Sequence, residues 1–221
     1  MQPYERPIWW SVSKVFASSL VAELEDAGRI DVTRPVEDYV PDLKGTEFGG
    51  VTVRNVLDMA SGVDCSDGAY ARGTCYYEYE ATLDDAVRTA HTPDTPYAFL
   101  RGLHAGRWAA QGTGFDYSGV NTFVLGWVVE QVTGLRLHDA VSRSYWTRIG
   151  AEHDAAFFSG SHGIALTHGG FMATPRDMAR FGLLFTPSWR TVSDRPVISA
   201  GCPTPIRASM VGATSASLRV R

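Results

Sequence analysis

The chain has 221 residues, 44% of them hydrophobic and 20% charged, with a formal net charge of −4. That length suits one domain with a sizeable core, and the acidic balance argues against nucleic acid as a partner. No apolar run reaches membrane-spanning length. The six histidines and three cysteines form no His-Glu-x-x-His or Cys-x-x-Cys pattern, so neither a metal nor another cofactor is expected.

Met1 to Pro7 lacks the apolar h-region of a secretory signal, which reads as cytoplasmic if this N-terminus is the natural one. Val12, Val15, Phe16, Leu20, Val21 and Leu24 then recur at helical spacing, and Gly28 stops the run. Arg29 to Val32 reads as a short extended piece. The segment from Arg34 to Pro41 reads as a helix of one or two turns entered and left by proline. Thr52 can cap a helix through Met59 that ends at Ser61-Gly62.

Gly68 to Tyr79, with Tyr70, Tyr76, Tyr77 and Tyr79, reads as a surface loop whose aromatics line a cleft or, as is commoner, pack inward, and Thr82 opens a helix with Asp84 and Asp85 in its first turn. That acidic pair is simplest as a match to the helix dipole. Cys65 and Cys75 bracket a polar stretch; a bridge between them is sterically allowed, with two free thiols the default expectation.

Residues 91–116 look loop-like. From Val120 a periodic helix carries Phe123, Val124, Trp127, Val128 and Val132 on one side, and Gly134 ends it. His138 to Ile149 is a further helix, and Ser159 to Gly170 is glycine-rich and extended. Thr174, Pro175 and Asp177 supply a cap, a first-turn proline and a capping-box acid for a helix through Leu184. From Ala208 the composition has no core-building period, so residues 201–221 read as an irregular or disordered tail.

Two places carry chemistry. Ser11-Val12-Ser13-Lys14 places a hydroxyl at the entrance of the first helix and an amine one turn on, along the same face. The positive helix end favours an alkoxide at Ser11 and disfavours an ammonium at Lys14, the arrangement an activated nucleophile needs. With 17 serines and two lysines in the chain, Ser-x-x-Lys arises by chance in about one such chain in seven on composition alone. The plain alternative is an N-cap serine beside a solvated lysine. Yet a chain with 18 arginines places one of its two lysines here, and arginine cannot act as a base. Tyr117, after the glycine-rich Gln111 to Gly114, sits just before the periodic helix, where a phenol can act as acid or base. Alone it reads equally as a packed tyrosine with a satisfied hydroxyl.

Together with the ordered blocks Gly28 to Asp31, Thr52 to Gly62, Tyr117 to Trp127 and Gly169 to Gly182, these motifs cover roughly residues 8 to 200. They resemble the serine β-lactamase and penicillin-binding-protein-like superfamily, for which Ser-x-x-Lys is a signature. The nearest likeness is to its class C β-lactamase, esterase and 6-aminohexanoate-dimer-hydrolase branch. The resemblance implies an α+β β-lactamase/transpeptidase-like fold. This chain would supply mainly the helical subdomain, with few short strands and most of the antiparallel sheet missing. Residues 1–200 would then be a partial domain, truncated at both ends, followed by the tail 201–221.

The resemblance also implies roles: Ser11 as acylated nucleophile, Lys14 as its proton acceptor, Tyr117 as the shuttle to the leaving group and the deacylating water. The Ser11 backbone N–H would form one arm of the oxyanion hole. Two departures stand out. Gly119 occupies the place where the family's Tyr-x-Asn carries its amide, and Asn121 lies too far along to be its equivalent. The third family motif, Lys-Thr-Gly or a His-x-Gly variant, has no clear match; His168-Gly169-Gly170 runs straight into the Thr174 helix.

Two functions follow as expectations. One is a serine hydrolase acting on a small-molecule amide or ester through a Ser11 acyl-enzyme. The other is a truncated, catalytically impaired or inactive remnant of such an enzyme. An α/β-hydrolase is disfavoured because no Gly-x-Ser-x-Gly occurs. Nothing in the sequence indicates an oligomeric state.

Overall fold

Helix α5 (Gly119–Thr133) is the axis on which the rest of the chain packs. Helices α1 (Lys14–Asp26), α2 (Val53–Leu57), α3 (Cys75–Thr82) and α6 (Leu137–Val141) all lie against it. The computed structural model describes residue 2, residues 4–186 and residues 217–220. The sequence predicts one apolar side for α5, but Leu125 and Val129 are buried as well as Val120, Phe123, Val124, Trp127 and Val128. A helix apolar around its circumference belongs inside a core. It ends at Gly134, whose φ of +72° is left-handed and open to a residue without Cβ.

Helix α4 (Pro96–Arg101) and helix α7 (Pro175–Leu183) complete the helical set. A small antiparallel sheet stands in the order β2-β1-β3, formed by β1 (Ala155–Phe158), β2 (Phe171–Met172) and β3 (Ser217–Val220). Its register pairs Ala156 with Met172 and Phe157 with Phe171 on one side, and Ala155 with Val220 on the other. Phe16 of α1 joins sheet to helices, with ring centroids 4.3 Å from both Phe171 and Phe181. Burying one such ring is worth about 2–3 kcal/mol, so this knot fixes how α1 lies on β2.

The chain that leads into α1 is tied to the same strand. Ile8 bridges Met172, the Trp9 N–H donates to the Phe171 carbonyl at 2.7 Å, and the Trp9 indole donates to the Ala173 carbonyl at 2.9 Å. The Phe171 N–H in turn donates to Ser13 Oγ at 3.0 Å. Residues 8–13 are thus pinned before the helix starts.

Several expectations need correction. The aromatic run read as a loop turns helical at Cys75, with Tyr76 and Tyr79 buried; its residues are enclosed on most sides, so no polar/apolar period marks it. The helix expected from Thr82 is absent because α3 ends there. Asp84 adopts a left-handed φ of +61° and accepts the Ser161 N–H at 2.6 Å, so it holds a loop and is no dipole match. Cys65 and Cys75 are joined in a disulfide, with Cα atoms 5.0 Å apart, where free thiols were the default. Three short elements also went unexpected, namely α4, β1 and β2.

Arg29 to Val32 is irregular, and the proline-bounded segment forms two 3-10 turns, Val36–Asp38 and Pro41–Leu43. Helix α6 is shorter than expected and runs on into a π turn over Ser142–Trp146. The capping of α7 is as read: Thr174 Oγ1 accepts the Asp177 N–H at 3.2 Å. The tail expected to be irregular from 201 lies outside the described residues except at 217–220, where the backbone pairs with β1. That pairing satisfies ladder groups that β1 would otherwise leave open.

Candidate active site

Ser11 lies in a 3-10 turn, Trp10–Ser13, that passes directly into α1. The plain alternative for Ser11 is an N-cap, but no side-chain cap bond forms there and α1 begins at Lys14. Trp10, one residue before, has a φ of +44°, a left-handed conformation that costs a bulky residue about 1–2 kcal/mol. The bridge to Met172 and the two Trp9 bonds to β2 hold this bend in place, and Ser11 is exposed at its apex.

Lys14 turns its amine back over this apex. Nζ donates to Ser11 Oγ at 3.1 Å and to the His168 carbonyl at 2.8 Å. It also lies 4.6 Å from the centroid of the Tyr117 ring. Tyr117 is 38% exposed, at the rim formed just before α5. The structure therefore brings together the three residues singled out in the sequence, across a separation of more than a hundred residues. A nucleophile hydroxyl, an amine within hydrogen-bond reach and a phenol beside that amine are the parts needed for proton transfer during attack on a carbonyl.

Beneath this surface lies a buried polar cluster. The His168 ring is 2.8 Å from the Glu80 carboxylate, and the Tyr79 hydroxyl meets His168 Nδ1 at 3.1 Å. Burial pushes the Glu80 carboxyl up, but the His168 hydrogen bond and charge outweigh it, so the net direction is down. Asp85, at the exposed edge of this cluster, goes the other way: partial desolvation, then the nearby Glu80 charge, push it up to about 6. The Tyr76 and Tyr79 phenols are raised by burial and by Glu80, so they remain neutral donors. His168 also explains a departure noted in the sequence. A Cβ at Gly119 would meet the His168 ring at 2.7 Å, so the imidazole takes the space beside α5 that a side chain at 119 would need. Asn121 is buried and donates to Met59 Sδ at 3.5 Å.

Sequence reading missed Asp67. Its carboxylate accepts the Gly119 N–H at 2.6 Å, and its own N–H donates to the Tyr117 carbonyl at 3.1 Å. Burial raises its carboxyl, while the Gly119 bond, Lys14 and His168 pull it down without cancelling that effect. A lone aspartate fifty residues from its partner carries no local signal; the cysteines flanking this loop were the nearest clue. Among the described residues no group of three His, Cys, Asp or Glu side chains is placed to hold a metal, and no helix is long and apolar enough to cross a membrane.

A family model described as Beta-lactamase matches residues 1–201. A 6-aminohexanoate-dimer hydrolase from Paenarthrobacter ureafaciens is 35% identical over 197 residues, covering 86% of this chain and 49% of that protein. Among solved structures, a Bacillus anthracis protein provisionally described as a 6-aminohexanoate-dimer hydrolase superposes with a TM-score of 0.78 at 26% identity, covering 90% of this chain and 52% of that one. A class C β-lactamase superposes with a TM-score of 0.57 at 20% identity over 82% of this chain and 49% of that one. The chain thus spans about half the length of the relatives it matches.

Proposed function

The chain belongs to the β-lactamase family, with the β-lactamase/transpeptidase-like fold, and on that premise we propose that it hydrolyses small-molecule amides or esters through an acyl-enzyme on Ser11. The observation that carries this reading is the placement of Lys14 Nζ, 3.1 Å from Ser11 Oγ and beside the Tyr117 ring. Run in the opposite sense, that contact takes the serine proton to the Lys14 amine as Oγ attacks the carbonyl carbon.

The oxygen of the tetrahedral intermediate faces the Ser11 backbone N–H. Its collapse breaks the bond to the leaving amine or alcohol, which takes a proton from the Lys14–Tyr117 pair. Water then adds to the acyl carbon and gives its proton to the same pair, which passes it to Oγ as the Oγ–acyl bond breaks to free the acid. Both hydrolysis products leave with the atoms of one water divided between them.

A second reading, a catalytically impaired remnant, is favoured by one specific observation. No Lys-Thr-Gly occurs in the sequence, so no motif is identified for the second oxyanion donor. Loss of one such donor costs about 10²- to 10³-fold in rate. Labelling with a fluorophosphonate separates the possibilities. Oγ displaces fluoride from phosphorus, so a wild-type adduct that is lost in Ser11→Ala is expected. A folded sample with no Ser11-dependent adduct overturns the acyl-enzyme reading. An adduct without measurable ester or amide turnover favours the remnant.

A further inference from the structure

The loop closed by the Cys65–Cys75 disulfide runs alongside the segment that carries Tyr117, and successive groups of the two strands are tied together. Ser66 Oγ donates to Asp116 at 2.7 Å, the Asp67 N–H to the Tyr117 carbonyl at 3.1 Å, Ser118 Oγ to the Cys65 carbonyl at 2.6 Å, and the Gly119 N–H to Asp67 at 2.6 Å. Ser118 stands at the N-cap of α5 yet makes no cap bond of its own, because its hydroxyl is spent on Cys65. Asp67 therefore supplies from another part of the chain the acceptor that α5 lacks locally. Its main chain and its side chain clasp Tyr117 from both sides, at the carbonyl and two residues on.

We propose that Asp67 is a positioning residue that holds the Tyr117 phenol over Lys14, and that the disulfide loop is the frame from which it does so. The role rests on the proposed part of Tyr117 in proton transfer. Without the clasp the 116–119 segment can rotate about its exposed tip, and the phenol leaves the amine. The positions of Ser11 and Lys14 do not depend on it, since Lys14 is held by α1 and the His168 carbonyl. The titratable groups facing Asp67 are Lys14 on α1, His168 on its loop and Glu80 on α3. Asparagine keeps an acceptor oxygen at the same reach, whereas glutamate keeps the charge but carries it one methylene too far.

The test separates the first chemical step from the second. Fluorophosphonate labelling of Ser11 needs Lys14 alone, because fluoride leaves without a proton donor. Hydrolysis of the acyl-enzyme, in which water adds and Oγ departs, needs Tyr117. For Asp67→Ala and Asp67→Glu, deacylation and kcat are expected to fall about ten- to a hundred-fold, part of what a general acid–base group supplies, with KM and labelling within about threefold. Asp67→Asn should recover to within about threefold of wild type. If Asp67→Ala does not fold, the Asn and Glu pair makes the same decision. The proposal is overturned if all variants deacylate like wild type, or if labelling and deacylation fall together as a merely structural cap requires. Absence of labelling in the wild type would instead sink the acyl-enzyme reading on which it stands.

Discussion

Three side chains carry the proposed chemistry, and the spacing of two of them was the legible part of the site. Ser11 and Lys14 are three residues apart, so a single turn brings them to 3.1 Å. Tyr117 was legible only through the resemblance, because its approach to Lys14 is set by tertiary packing. The supporting groups could not be read at all. Asp67, Glu80 and His168 act through partners about 50 to 150 residues away in sequence, and no short-range period marks such pairs. At this scale the base assignment is testable. Lys14→Arg keeps a long basic side chain but cannot accept a proton at ordinary pH. Acylation of Ser11 is expected to drop by about 10²- to 10⁴-fold with the fold intact by circular dichroism. An acylation rate near that of wild type would rule out Lys14 as the base.

Among the elements, those with strong end signals were legible. Gly28 ends α1, Gly134 ends α5, and Thr174-Pro175 opens α7, each where the residue chemistry dictates. α3 was hidden because an enclosed helix carrying Tyr76, Tyr79 and Glu80 shows no polar stripe. α4 was hidden by brevity, although Thr95 does cap it, accepting the Ala98 N–H at 3.1 Å.

The turn after α3 gives a prediction about pH. Asp85 is raised to about 6 by partial desolvation and by the Glu80 charge. The folded state therefore binds this proton more tightly than the unfolded chain, and stability falls as pH rises from about 4 through 6. Asp85→Asn cannot ionise and can still donate to Glu80. It should leave stability unchanged near pH 4 and raise it at pH 8 by about 1 kcal/mol, discounted for partial exposure. Urea melts at the two pH values check this; an equal effect at both would remove Asp85 as the source.

For the whole molecule, the helical half of the fold was readable because its blocks keep their order along the chain, and the match of residues 1–201 to the family bears that out. The sheet was less readable. β2 is two residues long, β1 four, and strands that short show too few alternations to be told from loops. Yet this sheet, through Phe171 and Met172, pins the bend at Trp10 that presents Ser11. Packing of helices onto a small sheet thus sets Ser11, and under the proposal the disulfide loop sets Tyr117 beside Lys14.

The central claim is a covalent intermediate on Ser11, and it is met most directly by acid-quenching the protein during turnover of a small ester and mapping its peptides by mass. The expected result is the mass of the acyl group on the Ser11 peptide, absent from Ser11→Ala. Hydrolysis of the ester by Ser11→Ala at the wild-type rate, or wild-type turnover with the acyl group on another residue, would contradict it.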